Sequence, residues 1–520
     1  MKHFNITAPT PGQGRADTAG WDAVSCVKIG QINDAIRNAG TSPRELDVTC
    51  GRDCQVKGTF VHWRVAPGGS GPLLNLVVPV RDVEVSRGDR TVTLEEIHAY
   101  VQVQLELIPS NRKRLGANPD TVEKLLVIKL DDNEGRMQVG SKPRAAQLMD
   151  ITGADDLSPR LLTALRLGLM TWFNDNLDAF AHVFATVNVS TKIAEETEGE
   201  AFAWLAPTDV SYAYGHNAID DEESVLAILC QTQGRSKDGL VNEANPTLIP
   251  PGCDAGLCIS RTRFLRNMIG ESLPSAFKGI QPKHIKYKKR DAGLKLTKAV
   301  QTEQIEHDGK TYDPVVHRLD IDLHDRELVI DSLTKTEVSP GIFSVCKSTG
   351  YYGFGLIDRK DGGKTMGVTE TRPMTTVEST EKTKAVKITD IVLGILGAIG
   401  SLILGAVTFG AGSVVFYVVL AIVVGSLAGT IGIKLVEMVG EGNAPPIDLM
   451  LANATSAVTW STGATFVPTF AALNNGLQIG GSLSPVKPGL LGADASLTAP
   501  DYHKAFQAEF ADVMAARAKS

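Results

Sequence analysis

Apolar side chains in this sequence recur first with a period of two and then, after residue 158, at spacings of three and four. One chain must therefore build both half-buried strands and a one-sided helix. Thr59, Val61, Trp63 and Val65 alternate with Phe60, His62 and Arg64, and Val101, Val103, Leu105 and Leu107 alternate with Gln102, Gln104 and Glu106. That is the pattern of an antiparallel sheet with one buried face. Residues 73–85 and 122–130 are more continuously apolar strand candidates. Ser158 is placed to cap a helix that has Pro159 at its first position. Leu162, Leu165, Leu169, Phe173, Leu177, Phe180, Phe184 and Val187 then form one apolar stripe. A helix of that extent is roughly 40 Å long and needs a long apolar surface to lie on. Trp21 to Asn38 reads as an earlier helix, ended by Gly40 and Pro43. Strand patterns return with Leu319, Ile321 and Leu323, then Leu328 to Ile330 and Ile342 to Val345.

Between Asp390 and Lys434 there is no charged residue. A Thr408–Ser413 break divides this run into two halves, each near the length that spans a bilayer core. Gly397, Ser401 and Gly405 lie four apart, as do Gly425 and Gly429, a spacing that lets helix backbones approach closely. A tight helical hairpin over 391–433 is the simplest expectation. It has three meanings: a permanent anchor, a segment that inserts on membrane contact, or the buried core of a sheet-wrapped protein. The flanks show no Lys/Arg asymmetry beyond Lys382, Lys384 and Lys387, which favours the third.

The hydrophobic share is 43% and the charged share 21%, enough for a packed core in two or three domains. A net charge of −7 argues against nonspecific nucleic-acid binding, which needs an excess of Lys and Arg. The first 20 residues are polar, with no basic start followed by an apolar run, so no secretory signal is read there. Seven scattered cysteines without such a signal read as reduced thiols of a cytoplasmic protein, or of one exported without a signal peptide.

Motifs of chemistry are weak. Gly362-Gly363-Lys364-Thr365 resembles the end of a phosphate loop, but Asp358 stands where that loop needs glycine. Gly68-Gly69-Ser70-Gly71 lacks the second glycine of a nucleophile elbow and reads as a turn. Cys50 and Cys54 with Cys253 and Cys258 have permissible but loose zinc spacing, and ordinary thiols or a disulfide are the simpler reading. Asp320, Asp322 and His324 would share one strand face and so hold a metal, though a solvent face gives the same pattern. Lys278, Lys283, Lys286, Lys288, Lys289 and Arg290 form a basic run with His284 and Tyr287 between them. It reads either as a solvated loop or as a contact for anionic headgroups at a membrane surface. No catalytic set and no cofactor is read from the sequence.

Several blocks together resemble a known family. They are Gly20-Trp21-Asp22-Ala23-Val24 with Asn33 and Ile36, then Gly58–Val65 followed by Gly68-Gly69-Ser70-Gly71, then Asn176–Asn188. Ala203–Pro207 with Tyr212-Ala213, and Ile259–Phe277 with Phe264 and Leu265, complete the set. In this order they resemble the forty-seven-kilodalton and OrfX proteins of clostridial neurotoxin gene clusters, in the tubular lipid-binding (TULIP) superfamily. The resemblance spans residues 20 to about 350; the leader and the Pro/Gly-rich 441–500 region do not clearly match. It implies an elongated α+β fold, with long helices cradled in strongly curved antiparallel sheets, to which the apolar helical hairpin is added. It also implies a non-enzymatic protein that binds phospholipid or phosphoinositide, with toxin-complex proteins as partners; the alternatives are a membrane-inserting or pore-forming toxin component that uses 391–433, and a structural partner in a toxin complex whose lipid affinity is incidental. The expected division is a leader over 1–20, one TULIP-like half over 21–200 and a second over 201–520. Leu165, Leu169, Phe173 and Phe180 are candidates to line an acyl groove, though each also fits plain core. Lys283, Lys286, Lys288, Lys289 and Arg290 are candidate headgroup contacts, and Gly397, Gly405, Gly425 and Gly429 are candidates for membrane insertion.

Overall fold

The computed structural model describes residues 14–485 apart from 41, 111–119, 131–145, 181, 192–201, 272, 278, 302–304, 308–309, 359–363, 383–456 and 463. The expected hairpin over 391–433, with Gly397, Gly405, Gly425 and Gly429, lies outside the described residues. Among the described residues no helix is long and apolar enough to cross a membrane.

Among the described residues the chain is β-rich, and the three large sheets there are built from antiparallel pairs. A nine-stranded sheet runs in the order Glu45–Thr49, Cys54–Phe60, Leu73–Arg87, Arg90–Pro109, Thr121–Ile128, Ala185–Ser190 and Val458–Trp460, with Arg64–Ser70 and Gln147–Thr152 attached at its side. A six-stranded sheet runs Pro207–Gly215, Val225–Thr232, Ala23–Lys28, Ala255–Ser260, Gly476–Pro485 and Ala464–Leu473. A seven-stranded sheet begins at an edge hairpin, Ile285–Tyr287 with Gly293–Leu296. It continues through Pro314–Leu323, Leu328–Ser339, Ile342–Asp358 and Lys364–Lys382, with Val300–Gln301 against Pro314–Leu323.

The alternation read from sequence holds where a sheet has one wet face. Val101, Val103 and Leu105 are buried within Arg90–Pro109, as are Leu319, Ile321 and Leu323 within Pro314–Leu323. It fails at 59–65, where Phe60 rather than Thr59 faces the core and the strand stops before Trp63. Trp63 and Val65 are buried from a separate strand and its approach.

The expected helix over Trp21–Asn38 is half wrong. Ala23–Lys28 is a strand, and helix α1 covers only Ile29–Ala39. The strand is wet on neither face: Ala23 and Val27 enter the core shared with the nine-stranded sheet, while Val24 and Cys26 enter a second core opposite. Such interior strands lose their alternation and imitate a helix in sequence. Gly40 does end α1, in the left-handed conformation at φ 60°.

The long helix is also shorter than its stripe. Helix α2 covers Pro159–Asp175, 17 residues and so about 26 Å, not the roughly 40 Å expected. Asn174 and Asn176 donate side-chain amides to the carbonyls of Met170 and Trp172, satisfying acceptors at the helix end. Beyond them the chain makes a 3-10 turn over Leu177–Ala179 and enters the Ala185–Ser190 strand. Phe180, Phe184 and Val187 reach the same core from this non-helical path, which is why their spacing imitated a helix. α2 packs on Glu45–Thr49, Cys54–Phe60 and Leu73–Arg87. Gly168 makes the close approach, for a Cβ there would meet Val56 Cγ2 at 2.6 Å.

Candidate functional site: a basic corner beside a buried ion network

The edge hairpin Ile285–Leu296 carries the basic run read from sequence. Lys283, Lys286, Lys289 and Arg290 are exposed, as are Lys295 and Lys298; Lys278 is outside the described residues. Carboxylates near them are engaged elsewhere. Lys288 Nζ lies 2.8 Å from both Asp322 oxygens and 3.3 Å from Asp320 Oδ1. Burial pulls the Lys288 ammonium down, but the bond and charge of Asp322, with Asp320, leave its pKa above the ordinary lysine value. Asp291 accepts from Arg266 at 2.9 Å and from Thr262 Oγ1 at 2.9 Å. Arg266 also stacks over the Tyr287 ring, 4.5 Å from its centroid. The result is a local excess of exposed positive charge on a chain of net charge −7. His284 reports it: partial desolvation and the charges of Lys298 and Lys283 hold its imidazole below the ordinary pKa. Arg290 sits at φ 58° and Asp291 at φ 47°, consecutive left-handed residues that hold the turn at the hairpin tip.

The segment leading to this hairpin contains a constellation that the sequence reading missed. Asp22, at the start of Ala23–Lys28, has a side chain 1% exposed and faces Arg263, 7% exposed. Arg263 Nη2 donates to Asp22 Oδ2 at 2.9 Å, and Nε lies 2.9 Å from Oδ1. The same carboxylate accepts from Arg235 Nη1 and from the backbone and hydroxyl of Thr232. Arg263 also donates to Gln233 and Asn267, and Asn267 donates to Glu271 at 2.7 Å. The sequence hint was confined to Asp22, a charged residue before the apolar Ala23-Val24 that needs a partner once buried; Arg263 lies in the polar stretch Arg261-Thr262-Arg263 and gave none.

The OrfX-like family, described as Protein OrfX2/OrfX3/P47, matches residues 18–481. The chain belongs to the OrfX-like family. Protein OrfX3 of Clostridium botulinum (strain Kyoto / Type A2) is 26% identical over 490 residues, covering 90% of this chain and 98% of that one. Protein OrfX3 of Paraclostridium bifermentans is 25% identical over 502 residues, covering 91% and 99%. The solved structure of P47 from Clostridium botulinum A2 has the same fold, with a TM-score of 0.60 at 16% identity, covering 90% of this chain and 98% of that one. The family expected from the sequence blocks is thus present, and with it the antiparallel sheets of the expected fold; among the described residues its long helices are not.

In this OrfX-like chain the candidate acyl-groove residues are brought together, as interior side chains. Leu165, Leu169, Phe173 and Phe180 are all buried in one core. Phe173 packs at a tilt against Phe60 and Phe180, Trp172 meets Phe180 edge-on, and Trp63 meets Phe180 edge-on at 5.6 Å. The zinc combination is not assembled: Cys50 and Cys54 form a disulfide under α2, while Cys253 and Cys258 lie in a different core. Burial pushes the Cys258 and Cys230 thiols up to about 12, so they are poor nucleophiles. Asp320, Asp322 and His324 do not form a triad either. The strand ends at Leu323, His324 falls in the following turn, and Lys288 occupies the space between the two carboxylates.

Proposed function

We propose that this OrfX-like chain is a non-enzymatic lipid-binding protein of the tubular lipid-binding type, which meets anionic phospholipid, phosphoinositide included, through the basic corner. The observation that carries the reading is the segregation of charge there: Lys283, Lys286, Lys289 and Arg290 face solvent while Asp291, Asp320 and Asp322 are engaged by Arg266 and Lys288. Each cation beside an anionic bilayer contributes about 1 kcal/mol, or about five-fold in affinity. The headgroup phosphate accepts hydrogen bonds from these ammonium and guanidinium groups. Acyl chains would enter between α2 and the nine-stranded sheet, where burial contributes about 0.8 kcal/mol per CH₂. That entry requires α2 to lift, because Leu165, Leu169, Phe173 and Phe180 fill the space between. The protein would act beside a bacterial toxin or secreted assembly, with proteins encoded nearby as partners. The test is the full chain with Lys283, Lys286, Lys289 and Arg290 all changed to Glu: its binding to phosphatidylserine vesicles should fall by at least a hundred-fold at low salt, and unchanged binding would contradict the reading.

A second reading rests on the charge-free run 391–433 as a membrane-inserting hairpin. Release of a trapped dye from liposomes, lost when Gly425 and Gly429 are changed to Leu, would support it.

A further inference from the structure

The segment Arg261–Gly270 bonds in two directions. Toward the six-stranded sheet, Arg263 and Asn267 belong to the Asp22 network. Toward the basic corner, Thr262 and Arg266 hold Asp291, Arg266 covers Tyr287, and Arg261 donates to the carbonyl of Leu323. Gly270 closes the contact, for a Cβ there would collide with the Tyr287 hydroxyl. The segment opens with an α turn over Arg261–Arg263 and continues as a π-helix over Phe264–Gly270. A π turn holds an additional residue, and returning it to α register turns the following side chains by about 100°. Arg266 and Asn267 are adjacent in sequence yet serve opposite bodies, so that rotation breaks one set of bonds or the other.

We propose that Arg261–Gly270 is a coupling element. An intact Asp22–Arg263 network holds the Ile285–Leu296 hairpin in place, and an anion seated on that hairpin tightens the Asp22 network in return. The reciprocity follows from thermodynamic linkage between two sites that share one two-state element. The anion half rests on the proposed lipid contact. The coupling itself is read without any lipid, so failure of one is distinguishable from failure of the other.

The experiment is hydrogen–deuterium exchange on the full chain. Arg263→Lys keeps the charge but removes the fork. It should speed exchange of the Ile285–Leu296 amides at least three-fold while leaving Leu73–Arg87 unchanged. Acceleration confined to the amides around Asp22, Thr232 and Arg263 would overturn the proposal. Gly270→Ala approaches from the other end by displacing Tyr287, and should speed exchange at Thr232 and Gln233; a change that stops at Tyr287 would overturn it equally. With phosphatidylserine vesicles bound to the wild type, slower exchange at Thr232 and Gln233 supports the return arm, and exchange unchanged there while Ile285–Leu296 is protected contradicts it.

Discussion

Asp22 and Arg263 meet side-on, Nη2 and Nε each 2.9 Å from a different carboxylate oxygen, with both side chains sealed from solvent. They lie far apart in sequence, one at the start of the first strand of the six-stranded sheet, the other in the helical turn after Ala255–Ser260. Removing one partner strands a buried charge, which costs about 3 to 5 kcal/mol. Asp22→Asn should lower the free energy of unfolding by that amount, seen as a lower urea midpoint at constant m-value. A change below about 1 kcal/mol would mean that Gln233, Asn267 and the Thr232 carbonyl hold Arg263 in place by themselves.

Tyr212 ties the six-stranded sheet to the nine-stranded one. Its hydroxyl accepts from the Leu105 amide at 2.8 Å and lies 2.7 Å from the Leu105 carbonyl and 3.0 Å from that of Pro72. Burial raises its pKa well above that of a free tyrosine, so it remains a neutral donor and acceptor. Tyr212→Phe leaves the Leu105 amide without this partner and should cost about 1 to 3 kcal/mol. Denaturant titration checks the size, and faster exchange of the Leu105 amide checks the cause.

Lys288 bridges the carboxylates of Asp320 and Asp322, and its loss should be modest because it is partly solvated. Lys288→Met should cost about 1 kcal/mol at neutral pH. The folded-state pKa is raised, so its contribution is fully present below the unfolded value of about 10.4 and fades as pH rises through the folded one. The stability gap between wild type and Lys288→Met should therefore be flat from pH 7 to 9 and narrow above pH about 10.4. A gap that widened with rising pH would contradict the assignment.

Gly270 and Tyr287 offer a test by rescue. Gly270→Ala should cost about 1 to 3 kcal/mol by overpacking. Adding Tyr287→Phe removes the hydroxyl that the new methyl meets, and the double variant should recover part of that loss. Additive losses, measured by thermal unfolding, would show that the collision is relieved elsewhere.

Legibility of the sequence followed the number of wet faces. Where one face is wet, as at Val101–Leu105 and Leu319–Leu323, alternation was visible and correct. Where neither is, as at Ala23–Lys28, the pattern vanished and the strand passed for helix. Leu177, Phe180, Phe184 and Val187 misled for another reason: a turn and a strand can supply a core at helical intervals when both converge on it. The basic corner was legible as composition, but the engagement of Asp320 and Asp322 by Lys288 was not, because it joins elements more than thirty residues apart. The Asp22–Arg263 pairing was hidden for the same reason, although Asp22 beside an apolar run hinted at a buried charge.

Co-flotation of the full-length wild type with vesicles bears most directly on the account. Phosphatidylserine mixed with phosphatidylcholine should carry the protein upward at low salt, less so as salt shortens the Debye length to about 8 Å near 0.15 M, and pure phosphatidylcholine should carry much less. Protein that stays at the bottom with both vesicle types, or floats equally with both at every salt, would contradict it.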